Sequence, residues 1–200
     1  MLIVIEGIDG SGKSTQARLL KSHLLSEGYD AVLFKEPTDG KWGRKIATLA
    51  RRGRSVSAQE ELSYFMNDRR EDVEDNILPA LRQRKVVVLD RYYFSSVAYQ
   101  GARGLDPKEV EASNSAFAPS PDLVIILDID PKLARERIER YRGEAPNHFE
   151  TRLAGVRRIF LRLARAHPEA RVVEAGRSEA EVHGEIVGLV SLILTKGQRP

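Results

Sequence analysis

The stretch Gly7-Ile8-Asp9-Gly10-Ser11-Gly12-Lys13-Ser14 decides the fold of this 200-residue chain. It matches the P-loop pattern, in which glycines let backbone N–H groups turn inward around the phosphates of a nucleotide. The apolar residues 1–6 before it predict a buried strand, and residues 13–27 after it predict a helix. This order of strand, loop and helix is the setting that a phosphate-binding loop requires.

The side chains of this loop suit magnesium-bound ATP. Lys13 can reach the β and γ phosphates as a point charge, and the Ser14 hydroxyl is placed to bind Mg²⁺. The residues that we expect to contact ATP are Gly7, Ile8, Asp9, Gly10, Ser11, Gly12, Lys13, Ser14 and Thr15.

The rest of the chain alternates strand and helix signals. Further strands are predicted at residues 31–34, 86–89 and 122–128, with a weak one at 172–173, and helix starts are predicted at Ser57, Asp106, Asp130 and Ser178. We therefore predict one α/β domain over residues 1–200, a three-layer P-loop NTPase fold with a five-stranded parallel sheet covered by helices on both faces.

The composition limits the class of protein and the compartment in which it works. Hydrophobic residues make up 42% and charged residues 30% of the chain, which fits one compact domain, and cysteine is absent, which excludes disulfides and thiolate metal sites. No apolar run is long enough for a membrane span. The net charge of +3 suits a small anionic substrate as well as it suits nucleic acid, and a solvated surface accounts for it most simply. We expect a cytoplasmic protein with neither nucleic acid nor a membrane among its partners.

The P-loop alone leaves kinases, GTPases and ATPases open, so residues at the ends of other strands must decide. Asp90 and Arg91 directly follow a predicted strand, and ligands bind at the carboxyl ends of strands in open α/β sheets. We expect Asp90 to be the acidic partner of Mg²⁺ and Arg91 to bind phosphate.

Two further patterns each permit two interpretations. Phe65 and Arg69 share one face of a predicted helix, where they could hold the base and phosphate of a second nucleotide or be a core residue and a solvated charge. The arginine-rich segment at about 137–150 could be a lid that closes over phosphates or a solvated helix.

These residues resemble the thymidylate kinase family. The resemblance is carried in order by residues 7–15, Glu36-Pro37, Asp68-Arg69, residues 90–101 (Asp-Arg-Tyr, then Ser-Ser-Val-Ala-Tyr-Gln-Gly), and Pro121-Asp122-Leu123 with Leu127-Asp128. The segment 90–101 is the most specific of them, because it separates thymidylate kinases from adenylate kinases.

The resemblance implies a role for each matching position. Phe65 would stack on thymine, Arg69 would hold the substrate phosphate, Gln100 would bond the base edge, and Tyr99 would crowd the sugar against a 2′-hydroxyl. Arg91 would bridge the donor and acceptor phosphates, with Lys13 and Asp9 beside it as catalytic candidates. Glu36, Pro37 and Ser96 would complete the substrate site.

The family resemblance also implies a homodimer and a catalytic arginine from the lid. Some members carry an arginine inside the P-loop, whereas this chain has Gly10 there, so Arg140 and Arg142 are the candidates. The lid departs from the usual family pattern at Asn147-His148.

The implied activity is transfer of the γ-phosphoryl group of MgATP to dTMP. Three alternatives stay open: a deoxynucleoside kinase with Glu36 as the base, another nucleoside monophosphate kinase, and a P-loop module that binds nucleotide without turnover.

Overall fold

The computed structural model describes residues 1–52, 56–142 and 152–197. Its strands are β1 (Leu2–Gly7), β2 (Ala31–Lys35), β3 (Val86–Asp90), β4 (Leu123–Asp128) and β5 (Ala170–Glu174). Its α-helices are α1 (Lys13–Ser26), α2 (Lys41–Arg52), α3 (Ala58–Asp72), α4 (Leu78–Arg82), α5 (Tyr93–Ala102), α6 (Pro107–Ser115), α7 (Pro131–Arg142), α8 (Leu153–Ala166) and α9 (Glu179–Gly197). A π-helical turn, Val73–Ile77, joins α3 to α4.

The predicted five-stranded parallel sheet is confirmed, with strand order β2-β3-β1-β4-β5. Every residue of β1 and β3 is buried. Because successive side chains of a strand point to opposite faces, burial of every position means that both faces of the central sheet are covered.

The strand order puts β1 between β3 and β4, and this arrangement positions the site. Ile5 lies beside Asp90 of β3, and Gly7 lies beside Leu127 of β4. The loop after β1 and the loop after β3 therefore emerge side by side at the carboxyl edge of the sheet, where α/β folds bind ligands.

Helices α2 and α8 are among the elements that were not predicted. In α2, the buried Ile46 and Leu49 face the protein, and in α8 the buried stripe is Leu153, Val156, Ile159, Phe160 and Leu163. Both stripes have helical spacing, so the signal was present in the sequence.

The helix ends show why the local sequence folds as it does. The Ser57 hydroxyl accepts a hydrogen bond from the backbone N–H of Glu60 at 3.0 Å, and the Asp106 carboxylate accepts one from Lys108 at 2.9 Å. Gly28 follows α1 with φ of 85°, a left-handed conformation that glycine adopts without strain and that ends the helix. None of the described helices combines the length and apolar character needed to cross a bilayer.

Candidate active site

The P-loop wraps the N-terminus of α1. Gly12 begins the helix with φ of 94°, and a side chain at Gly10 would place its Cβ 2.3 Å from the carbonyl oxygen of Ala134. The first position needs the left-handed backbone and the second needs the close approach to α7, so glycine is required at both. The unpaired N–H groups of the first helical turn are left available to an anion.

A cavity of about 1120 Å³ opens over this loop, and we call it the donor cavity. Its lining includes Gly10 to Thr15 of the P-loop, Arg137 and Arg140 of α7, and Arg177 before α9. Such a concentration of cations and helical N–H groups attracts polyanions. Arg140, one of the two lid candidates, thus lines the donor cavity, whereas the Arg142 side chain and residues 143–151, including Asn147 and His148, lie outside the described residues.

Lys13 is buried in this cavity wall, with only 6% of its surface exposed, and its Nζ donates a hydrogen bond to the Ile8 carbonyl oxygen at 2.8 Å. Burial, together with repulsion from Arg91, lowers the pKa of Lys13 to about 8. A phosphate group in the cavity would oppose that shift, because a neighbouring anion favours the ammonium form.

Ser14 and Asp90 meet beside the P-loop, as the sequence predicts for a magnesium site. The Ser14 hydroxyl donates a hydrogen bond to Oδ2 of Asp90, while Oδ1 of Asp90 is buried and has no hydrogen-bond partner among the described residues. A hydroxyl beside an unpaired carboxylate oxygen fits Mg²⁺, which takes few protein ligands when phosphates and water supply the others. Across residues 1–52, 56–142 and 152–197, no group of three or more His, Cys, Asp or Glu residues could hold a metal ion by itself.

A second cavity of about 210 Å³, which we call the acceptor cavity, adjoins the first. Phe65 of α3, Tyr99 and Gln100 of α5, and Ile46 and Ala47 of α2 lie in its lining. Glu36, Pro37 and Ser96, all expected at the substrate site, also line it. An aromatic and aliphatic wall with a few polar groups is typical of a site for one small planar ligand.

Both cavities share Asp9, Lys35 and Arg91. The Arg91 guanidinium pairs with the Asp9 carboxylate and donates to the Ser95 hydroxyl at 3.1 Å, and the Tyr99 hydroxyl donates to Asp9 at 2.8 Å. Arg91 has φ of 74°, a left-handed conformation that is strained for a residue with a side chain and is typical of functional loops. The charged side chains of Asp9, Lys35 and Arg91 thus lie where the donor and acceptor cavities meet.

Arg69, which the resemblance implies would hold the substrate phosphate, lies in a buried hydrogen-bond network beside the acceptor cavity. It is 1% exposed and is absent from the lining of the acceptor cavity. Its guanidinium donates to Oε2 of Glu36 at 2.9 and 2.6 Å, to the Ser96 hydroxyl at 3.2 Å and to Oδ1 of Asn114 at 2.5 Å. Arg69 therefore fixes Glu36 and Ser96, which line the acceptor cavity, and its neighbour Asp68 fixes Thr38 in the same loop as Glu36.

Comparison with known proteins decides the family. The family model described as thymidylate kinase matches residues 5–186. Thymidylate kinase of Xylella fastidiosa (strain M12) is 45% identical over 97% of this chain and 88% of the relative, and that of Xanthomonas campestris pv. campestris (strain B100) is 46% identical over 96% and 85%. The crystal structure of thymidylate kinase from Ehrlichia chaffeensis superposes with a TM-score of 0.76 at 30% identity, covering 96% of this chain and 98% of that one.

The chain belongs to the thymidylate kinase family.

Within this thymidylate kinase fold, the structure adds two residues that the sequence analysis missed. Glu6 is fully buried at the end of β1 and accepts hydrogen bonds from the N–H groups of Tyr92 at 2.8 Å and Ser95 at 3.0 Å and from the Ser95 hydroxyl at 2.6 Å. Burial raises its pKa, and these bonds anchor the loop that carries Arg91. An acidic residue inside an otherwise apolar strand was the available signal.

The other missed residue is Lys35, at the end of β2. It lines both cavities, and its ammonium group has no hydrogen bond or ion pair among the described residues. Its position at the carboxyl end of a strand next to Asp90 was the signal, since β2 pairs with β3 at that point.

Proposed function

We propose that this protein transfers the γ-phosphoryl group of MgATP to the 5′-phosphate of dTMP, giving dTDP and ADP for dTTP synthesis. One observation carries the proposal: a cavity built on the P-loop and a cavity lined by an aromatic ring and an amide meet at Arg91. That arrangement lets two nucleotides bind with their phosphates facing one another.

The donor cavity supplies the ATP side of the reaction. The P-loop N–H groups and Lys13 bind the β and γ phosphates, and Ser14 with Asp90 would hold Mg²⁺, which neutralises the charge of the transferring phosphate. Arg140 lines the same cavity and Arg142 lies at the end of the same helix, so both are proposed to contact phosphate on closure.

The acceptor cavity supplies the dTMP side. The Phe65 ring can stack on a pyrimidine, and Gln100 can hydrogen-bond its edge. We propose that Lys35 and Arg91 bind the phosphate of dTMP, because both residues line the acceptor cavity and the donor cavity. A strong base is not needed, because the attacking phosphate oxygen already carries negative charge, so catalysis rests on positioning and charge neutralisation.

One observation supports a second candidate, a deoxynucleoside kinase. Glu36 lines the acceptor cavity, its Oε1 has no hydrogen-bond partner among the described residues, and burial raises its pKa to about 8 despite the neighbouring Arg69. A carboxylate of that pKa could accept a proton from a nucleoside 5′-hydroxyl.

An acceptor panel separates the candidates. Formation of ADP from MgATP is measured with dTMP, dUMP, dCMP, AMP and thymidine in turn. We expect dTMP to give the highest kcat/KM and thymidine to give no turnover above background. Turnover of thymidine in preference to dTMP would favour the second candidate, and ATP binding without acceptor-dependent ADP would leave only a binding module.

We further propose that the protein is cytoplasmic, in keeping with its nucleotide substrates and its lack of cysteine, and that it is a homodimer, as the family resemblance implies. Light scattering coupled to size-exclusion chromatography tests the dimer, which predicts twice the chain mass of 22.4 kDa.

A further inference from the structure

The amide of Gln100 is held in one orientation by its protein surroundings. Gln100 lines the acceptor cavity and is 1% exposed. Its Nε2 donates a hydrogen bond to Oε1 of Glu61 at 2.9 Å, whereas its Oε1 is buried without a hydrogen-bond partner among the described residues. Oε1 of Gln100 is therefore available as a hydrogen-bond acceptor to a bound base.

Glu61 prevents the side-chain amide of Gln100 from flipping, that is, from exchanging the positions of its oxygen and nitrogen. It is a fully buried residue of α3, and its Oε2 lies 2.6 Å from Nη1 of Arg103. Arg103 is itself fixed, because its Nη2 donates to the carbonyl oxygen of Val56 at 2.7 Å. As the anionic partner of Arg103, Glu61 can only accept hydrogen bonds, so a reversed amide would set Oε1 of Gln100 against a carboxylate oxygen.

We infer that Glu61, held by Arg103, is a positioning residue that sets the base specificity of the acceptor cavity. The inference rests on the proposed function. In a nucleotide, thymine and uracil have one N–H donor, at N3, whereas cytosine has a lone pair there. A fixed acceptor at Gln100 pairs with N3–H and repels N3 of cytosine bound in the same pose, so Glu61 enforces the choice of dTMP and dUMP over dCMP.

The substitution Glu61→Gln tests this. A glutamine at this position either donates or accepts, so Gln100 can present its oxygen or its NH₂ group to the base. The kcat/KM ratio of dUMP to dCMP, two acceptors that both lack the methyl group, should fall by roughly tenfold or more. The ratio of dTMP to dUMP should not change, because the methyl group is not read by Gln100. Glu60→Gln, the same change at an exposed neighbouring position, should leave both ratios at wild-type values.

Several outcomes decide the matter. A folded Glu61→Gln variant that loses activity equally for all acceptors, with the dUMP to dCMP ratio unchanged, would overturn the inference. If that variant does not fold, the double variant Glu61→Gln with Arg103→Gln, which removes both charges, is measured instead. Gln100→Leu is measured beside it. Retention of the wild-type dUMP to dCMP ratio in Gln100→Leu would also overturn the inference. Calorimetric binding of dUMP and dCMP reports the same preference without turnover, so failure of this inference is distinguishable from failure of the proposed reaction.

Discussion

Arg91 pairs with Asp9 at the point where the donor and acceptor cavities meet. The two residues come from the loops after β3 and β1, which the parallel register brings side by side. Because the Tyr99 hydroxyl also donates to Asp9, the pair is joined to the wall of the acceptor cavity. The arginine is thus held in place before any nucleotide arrives, which reduces the reorganisation needed in the transition state.

Replacing Arg91 tests whether this position serves the reaction. We expect Arg91→Met to lower kcat by about 10²–10³-fold, the loss typical of removing one preorganised donor to developing charge. The measurement is steady-state ADP formation with saturating MgATP and dTMP. Arg171→Met, at an exposed arginine outside both cavities, is the matched control. A folded Arg91→Met enzyme with near-normal kcat would remove Arg91 from the catalytic set.

Lys13 should take up a proton when ATP binds at alkaline pH. Since its pKa is about 8 in the unliganded protein, the side chain is charged below that pH and largely neutral at about pH 9.5, whereas bound phosphates restore the charge. Calorimetry in two buffers of different ionisation enthalpy should show uptake at about pH 9.5 that disappears near pH 6.5. Lys13→Met should abolish the alkaline uptake. Equal proton uptake in wild type and variant would place the titration elsewhere.

Asp90→Asn should weaken the binding of Mg²⁺ without unfolding the protein. The half-saturating Mg²⁺ concentration for turnover should rise by roughly tenfold, because an amide oxygen is a poorer ligand than a carboxylate for a hard cation. Asp30→Asn is the control, because Asp30 is exposed and lines neither cavity. An unchanged Mg²⁺ requirement in Asp90→Asn would contradict the assigned metal site.

Arg69→Met should act on stability more than on phosphate binding. It leaves Glu36 and Asn114 buried without their partner, which should lower the free energy of unfolding by roughly 3–5 kcal/mol. Denaturant unfolding measures this loss, and the double variant with Glu36→Gln should recover part of it, since no carboxylate is then stranded. A stable Arg69→Met protein that has lost only dTMP affinity would instead support the phosphate role that the resemblance implies.

Local signals predicted most of the fold. The apolar run before Gly7 and the P-loop after it identified β1, α1 and the donor site, because each depends on neighbours in sequence. The same holds for the end of β3, where Asp90 lies beside Ser14 of the P-loop and Arg91, the next residue, lines both cavities.

Long-range pairings explain what the sequence could not predict. The role of Arg69 depends on Glu36, 33 positions away, and that of Gln100 depends on Glu61, 39 positions away. No spacing rule relates such pairs, and a buried arginine and a phosphate-binding arginine look the same in a sequence. The acceptor wall from α2 was missed for a different reason, since its periodic apolar residues were visible but lay in a segment rich in charge.

Two contacts hold Tyr99 in the wall of the acceptor cavity. Its ring is 9% exposed and packs edge-on against Phe160 with centroids 6.5 Å apart, while its hydroxyl is bonded to Asp9. The ring is therefore fixed in position by its contacts with Phe160 and Asp9. A rigid ring can exclude a substituent that a mobile one would accommodate.

The last prediction is that this ring excludes ribonucleotides. If it packs against C2′ of dTMP, a 2′-hydroxyl must clash or remain buried without a partner, at a cost of roughly 1–3 kcal/mol. The deoxy-to-ribo ratio of kcat/KM, measured with dTMP and its ribonucleotide, should stay high in Tyr99→Phe, although overall activity falls because Asp9 loses a hydrogen bond. In Tyr99→Ala the ratio should approach one, since the bulk is gone. An unchanged ratio in a folded Tyr99→Ala enzyme would show that the ring serves only packing.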